Sequence, residues 1–175
     1  SIVRNSSSDL EKNATTVKVL MLGWEFPPLF SGGLGIATLG IVQALREKAT
    51  IKLIVPSHTG SMSMPNVSII GLNRVTAAEL HQEQIHFHMN EEITRNSLDR
   101  FDEDLTQDTT FETVHSLFSD TEVYGWNVMR KMHHYTQLAE KIAENGDFDV
   151  IHAHDWITFT AGMKIKEKTG KPLVL

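Results

Sequence analysis

The sequence predicts an α/β domain built on a mostly parallel sheet with helices on both faces. Three observations carry this. The apolar runs at residues 17–23, 51–55 and 148–153 lack polar alternation, as expected of parallel strands covered on both sides. Segments with apolar residues at helical spacing lie between them. The first run leads through the glycine-rich turn Gly32-Gly33-Leu34-Gly35 into one of those helical segments.

Taken in order, residues 1–16 are polar and serine-rich and read as a disordered leader or expression remnant. The domain then occupies residues 17–175. After the strand at 17–23, Leu34, Ala37, Ile41, Ala44 and Leu45 recur at helical spacing over residues 35–48. A second strand at 51–55 stops at Pro56, completing a βαβ unit. Residues 67–72 and 85–89 are shorter strand candidates, His86 and His88 flanking Phe87 in the latter. Residues 90–122 are acidic, with Glu91, Glu92, Asp99, Asp102, Glu103, Asp104 and Asp108 against Arg95 and Arg100. That composition predicts a solvated, partly mobile excursion from the sheet. Val128, Met132, Tyr135, Leu138, Ala139 and Ile142 then trace a helical face, stopped by Asn145-Gly146. A strand at 148–153, a helix at 157–168 and a strand beginning at Leu173 complete the chain. A strand cut off at its start is expected either where a protein has been truncated or where the strand ends at the surface of a partner domain. Met21, Met129, Met132 and Met163 are expected to fill the core, and His133-His134 to be packed or solvated rather than catalytic.

Composition narrows the function. The 175 residues suffice for one domain with a sizeable core, and 41% hydrophobic with 22% charged residues is the balance of a soluble globular protein. A net charge of −6 without a basic stripe argues against a nucleic-acid surface. The absence of cysteine excludes disulfides, cysteine-ligated zinc and thiol catalysis. No apolar run reaches the roughly 20 residues that span a bilayer, so the expected location is the cytoplasm.

Two segments carry chemistry. A strand that ends in glycines opening a helix lets an anion approach bare backbone, where first-turn N–H groups lack partners and the helix dipole is positive. The pattern is G-G-x-G, which is neither the dinucleotide fingerprint G-x-G-x-x-G nor a P-loop. The structural alternative is a plain turn in which Gly32 and Gly33 adopt positive φ. The second segment, Val150-Ile151-His152-Ala153-His154-Asp155-Trp156, puts polar residues at the carboxyl end of a strand, the edge where open α/β sheets bind ligands. Asp155 suits the N-cap of the following helix. His154, with a donor and an acceptor, suits a substrate hydroxyl. His152 and His154 also match the H-x-H of metallohydrolases, but that pair ordinarily opens a barrel and the chain here has only about twenty residues left. No metal is expected.

Together the segments resemble the N-terminal half of GT-B glycosyltransferases, the group that includes glycogen and starch synthases and the retaining family related to sucrose synthase. The resemblance rests on E-x-x-P-x-x-x-G-G-L-G from Glu25 to Gly35, followed about 115 residues later by D-V-I-H-A-H-D-W from Asp149 to Trp156. Val123-Tyr124-Gly125-Trp126 before a long helix is similar to the archaeal-type glycogen synthases. What the resemblance implies is a Rossmann-like domain forming one half of a GT-B fold, with the acceptor mostly on this side and the donor on a missing C-terminal domain. It implies a nucleotide-sugar co-substrate, a sugar, glucan or lipid acceptor, and no cofactor. Gly32, Gly33 and Leu34 would reach the donor diphosphate, and His154 would line the site of the transferred sugar as its catalytic residue. Glu25, Asp155 and Tyr124 would shape the turn and cap or touch substrate. One position departs: glycogen and starch synthases carry lysine two residues before the paired glycines, where this chain has Phe30, which is closer to the sucrose-synthase-like group. A non-catalytic sugar- or nucleotide-binding module and a metallohydrolase are the alternatives.

Overall fold

A computed structural model describes residues 16–29, 32–75, 117–119, 124–125, 127–144 and 146–175. The leader, the strand candidate at 85–89 and nearly all of the acidic segment lie outside the described residues.

The domain is a five-stranded sheet in the order β3-β2-β1-β4-β5, every neighbouring pair parallel. The strands are β1 (Val17–Leu22), β2 (Ala49–Val55), β3 (Val67–Gly71), β4 (Val150–Ala153) and β5 (Leu173–Val174). Among the described residues three helices accompany them, α1 (Gly33–Leu45), α2 (Val128–Ala143) and α3 (Trp156–Thr169). The fold is therefore α/β and Rossmann-like, as the sequence predicts.

Alternate residues of the central strands face opposite layers. Leu20 and Leu22 of β1 join Tyr135, Leu138 and Ala139 of α2 and Ile157, Ala161 and Ile165 of α3 in one core. Val19 and Met21 join Val42 of α1 and Ile51 and Leu53 of β2 in the other. Burial on both faces explains why these strands read as unbroken apolar runs.

Local chemistry sets the element ends. α3 stops at Gly170, which takes the left-handed conformation at φ 70° and returns its N–H to the Lys166 carbonyl. Gly146 at φ 62° does the same work after α2. At the amino edge, Asp149 Oδ2 accepts the Lys18 N–H at 2.8 Å and the Asp149 N–H returns to the Lys18 carbonyl at 2.8 Å. Tyr135, fully buried, donates its hydroxyl to the Ile54 carbonyl at 2.9 Å and so ties α2 to β2.

Several details differ from the sequence expectation. β4 pairs only from Val150, and Phe148 enters the core from the loop before it. The buried positions of α1 are Gly35, Thr38 and Val42, while Ala37 and Ala44 are exposed. Thr38 is tolerated there because its hydroxyl donates to the Leu34 carbonyl at 2.9 Å. Met21 is buried, but Met129 and Met163 are 58% and 53% exposed, on the outer faces of α2 and α3, and are not core filler.

Close packing of α3 on the sheet yields a stability prediction. A Cβ at Gly162 would lie 3.0 Å from Ala153 Cβ and 2.9 Å from Leu173 Cδ1. Leu173 can rotate away but Ala153 is anchored in β4, so Gly162→Ala is expected to destabilise the domain by about 1–3 kcal/mol. Urea unfolding of the wild type and variant checks this; an unchanged midpoint would show that α3 shifts at no cost.

Candidate functional site

The strand order places a topological switch point between β1 and β4. From β1 the chain proceeds to β2 and β3 on one side of the sheet, then returns to lay β4 against the other side of β1. At such a point the loops leaving adjacent strands diverge and open a crevice at their carboxyl ends. Glu25 follows β1 and His154 follows β4, so both polar segments flank this crevice. Leu22 is in register with Ala153, and the His154 N–H donates to the Leu22 carbonyl at 2.8 Å.

On the β1 side the chain turns sharply. Gly23 N–H donates to the Ile54 carbonyl at 3.0 Å, and Phe26 and Leu29 close a turn around a cis Pro27–Pro28 bond. Trp24, Glu25 and Phe26 are all buried, at 2%, 2% and 1% exposure. Trp24 meets the Tyr135 ring edge-on at 5.5 Å. A buried carboxylate needs a partner, and Glu25 accepts the hydroxyl of Tyr124. Partial burial, that hydrogen bond and the charges of Glu25 and Asp155 all push the Tyr124 hydroxyl well above the ordinary tyrosine range. Tyr124 stays a protonated donor, 42% exposed, and its hydrogen bond to Glu25 joins the segment before α2 to the β1 loop.

At the glycine turn the structural alternative, positive φ at Gly32 and Gly33, is not what the backbone adopts. Neither Gly32 nor Gly33 has positive φ; Gly32 is extended at φ −163°, and Gly33 is the first residue of α1. A Cβ on either would meet nothing within 4 Å among the described residues. Backbone strain and internal crowding therefore give no reason for glycine at these positions. What the two glycines provide is an unshielded helix start: α1 has no side-chain cap and no acidic residue in its first turn, leaving its N–H groups facing outward. Leu34 packs partly against the core behind it.

On the β4 side Asp155 is the N-cap of α3, accepting the Trp156 N–H on Oδ1 at 2.7 Å. Its backbone sits at φ 95°, ψ 143°, a region that costs a non-glycine residue about 1–3 kcal/mol and is found mainly where function requires it. Thr158, which the sequence pattern does not single out, holds this bend. Its hydroxyl and N–H both donate to the Asp155 carbonyl at 2.9 Å, and the hydroxyl also lies 3.4 Å from the Leu22 carbonyl. The spacing D-x-x-T, with the aspartate at the N-cap, is the signal that could have found it.

His154 Nε2 is buried and has no hydrogen-bond partner among the described residues. Its ring meets His152 edge to face at 5.9 Å. Burial first, then the neighbouring His154, lowers the His152 pKa, which keeps that ring neutral. Among the described residues no three histidine, cysteine or acidic side chains are grouped to hold a metal ion. No helix among them is long and apolar enough to cross a membrane.

Residues 18–174 match the family model of the starch synthase catalytic domain. The glycogen synthases of Chlamydia trachomatis serovars L2, D and A are each 24% identical to the chain over 157 residues, covering 87% of it and 31% of the relative. The chain thus spans about a third of the length of these curated relatives. Despite Phe30, the match falls on the glycogen- and starch-synthase side of the resemblance. The chain belongs to the family of starch synthase catalytic domains.

Proposed function

We propose that the chain is the acceptor-side domain of a retaining glycosyltransferase, which moves a sugar from a nucleotide-sugar donor to a hydroxyl of an α-glucan. The observation that carries this reading is His154: a buried ring nitrogen without a hydrogen-bond partner among the described residues, at the carboxyl end of β4 where the sheet order switches beside β1. An unsatisfied buried nitrogen is costly, and a sugar hydroxyl is a partner of the right kind. The family membership and the glycogen synthase relatives support the same reaction class.

In this reading Gly32, Gly33 and Leu34 present backbone N–H groups to the donor diphosphate as the cleft closes. His154 accepts or donates to a hydroxyl of the transferred sugar. Glu25 and Asp155, with Tyr124 between them, fix the two loops and border the acceptor. Basic side chains of a C-terminal domain supply the remaining charge stabilisation, without a metal or other cofactor. The reaction class requires a donor clamped between two domains, so this chain contributes half of the site.

The test is to incubate protein expressed from the whole gene with a panel of nucleotide sugars and short α-glucans, then follow nucleotide release and glucan elongation. Release coupled to elongation is the expected result. Nucleotide-sugar binding with no transfer to any glucan would support a binding module instead.

A further inference from the structure

The histidine at position 58 lies in no motif, yet the fold goes to some length to seat it. The chain leaving β2 runs through Pro56 and Ser57 to His58, beneath the loop that leaves β1. His58 is 3% exposed. Its backbone is held from both sides by Asn73, whose Oδ1 accepts the His58 N–H at 3.0 Å and whose Nδ2 donates to the His58 carbonyl at 3.2 Å. The last residue of β3 gives up its side chain to make room: a Cβ at Gly71 would lie 2.6 Å from Asn73 Oδ1 and 2.9 Å from both the His58 Cβ and nitrogen.

The ring is oriented as well as buried. Nδ1 accepts the Gly60 N–H at 3.0 Å, which fixes the neutral tautomer with its proton on Nε2. Burial lowers the pKa of His58, the Pro27 carbonyl works against that, and the Arg74 charge adds to the lowering. Nε2 is thus a neutral donor near the Pro27 carbonyl, without a closed hydrogen bond among the described residues. The same ring lies 6.2 Å from Phe26, tilted at 47°. Phe26 and Pro27 directly follow Glu25 and lead to the glycine turn.

We propose that His58 is a positioning residue for the glycosyl-transfer site, acting through Phe26 and the Pro27 carbonyl to hold the β1–α1 connection that carries Glu25 and presents Gly32 and Gly33. A role in packing alone would be served better by an apolar side chain, because a buried N–H that lacks a formed hydrogen bond is a liability in a core. An imidazole there keeps a donor near the Pro27 carbonyl, and its ring lies against Phe26, both in the loop that leaves β1. Site geometry is sensitive to such support, since displacement of the order of 1 Å costs about a hundredfold in rate.

This inference rests on the proposed reaction for its kinetic readout but not for its structural one. In protein from the whole gene, His58→Phe keeps the ring and removes both nitrogens, while His58→Gln returns an amide donor near the Nε2 position. His58→Phe is expected to lower kcat/KM for the nucleotide sugar by about tenfold or more, with an unchanged or raised melting temperature, and His58→Gln to recover most of the loss. Amide hydrogen exchange at Phe26 and Leu29 should quicken in His58→Phe and return toward wild type in His58→Gln. Wild-type kinetics and exchange in His58→Phe would overturn the proposal, as would equal loss of activity and of stability in both variants. If the wild type transfers no sugar, the reaction fails and the exchange measurement still decides the role of His58.

Discussion

Replacing His154 with alanine, in protein expressed from the whole gene, is expected to lower kcat/KM for glycosyl transfer by about 10²–10³-fold, the usual loss when one positioned hydrogen-bonding group is removed from a reacting centre. The fold should survive. The His154 backbone N–H, which ties β4 to the Leu22 carbonyl, is unaffected by the substitution, and the lost side chain ends in a nitrogen with no partner among the described residues. Asp155 keeps the α3 cap. Urea unfolding with steady-state kinetics separates the two effects. Full activity in His154→Ala would remove the residue from the site, and a collapse of stability would assign it a structural role.

Acid is expected to weaken the domain through a second histidine. His134 is 3% exposed on α2, its Nδ1 3.2 Å from Gln137 Oε1 and its ring 5.2 Å from His133. Burial first, then the His133 and Arg130 charges, lower its pKa to about 4, with the Gln137 hydrogen bond opposing. A folded-state pKa below the ordinary 6.5 means that the unfolded chain binds the proton more readily. Stability is therefore complete above about pH 6.5 and falls as pH drops toward about 4, the window between the two values. At about pH 5 the loss assigned to this residue is about 2 kcal/mol. The pKa values of His133, His58 and His152 are also lowered by burial, which adds loss of the same sign. Urea unfolding at about pH 7.5 and about pH 5, on wild type and His134→Gln, measures the contribution. The variant should lose about 2 kcal/mol less across that interval. An identical loss in both would show that other groups set the acid limit.

The packed or solvated role expected for His133 and His134 resolves as packed for His134, which is buried on α2. The strands were legible because a sheet covered on both faces demands contiguous apolar residues, and β1, β2 and β4 supply them. That Glu25 and His154 follow adjacent strands at the same sheet edge was foreseeable from two parallel strands, each ending in polar residues. Asp155 as a cap was legible from its place before an apolar helical run. Its φ of 95° was not, since that depends on Thr158 pinning the Asp155 carbonyl.

Other features were hidden because they depend on contacts remote in sequence. The Tyr124–Glu25 hydrogen bond joins segments that no spacing rule relates. His58 is seated by Phe26, Gly71 and Asn73, which come from three different loops and strand ends. Met129 and Met163 have the side chain of a core residue, and only the packing shows that their helices turn those positions outward. Whether Gly32 and Gly33 serve a positive φ or an open approach could not be read from the sequence; the backbone excludes the first, and a Cβ on either meets nothing within 4 Å among the described residues.

The central claim is that this chain supplies one side of a two-sided transfer site. A helix start of the kind at Gly32 and Gly33 contributes only about 0.3–1 kcal/mol toward an exposed anion, far short of what holds and activates a nucleotide sugar. Nucleotide release should therefore be measured for the 175-residue chain and the whole-gene protein, side by side, with the same donors and α-glucan acceptors. The account predicts multiple turnovers by the whole protein and none by the chain alone. Multiple turnovers by the isolated chain would contradict it, placing a complete active site within these residues.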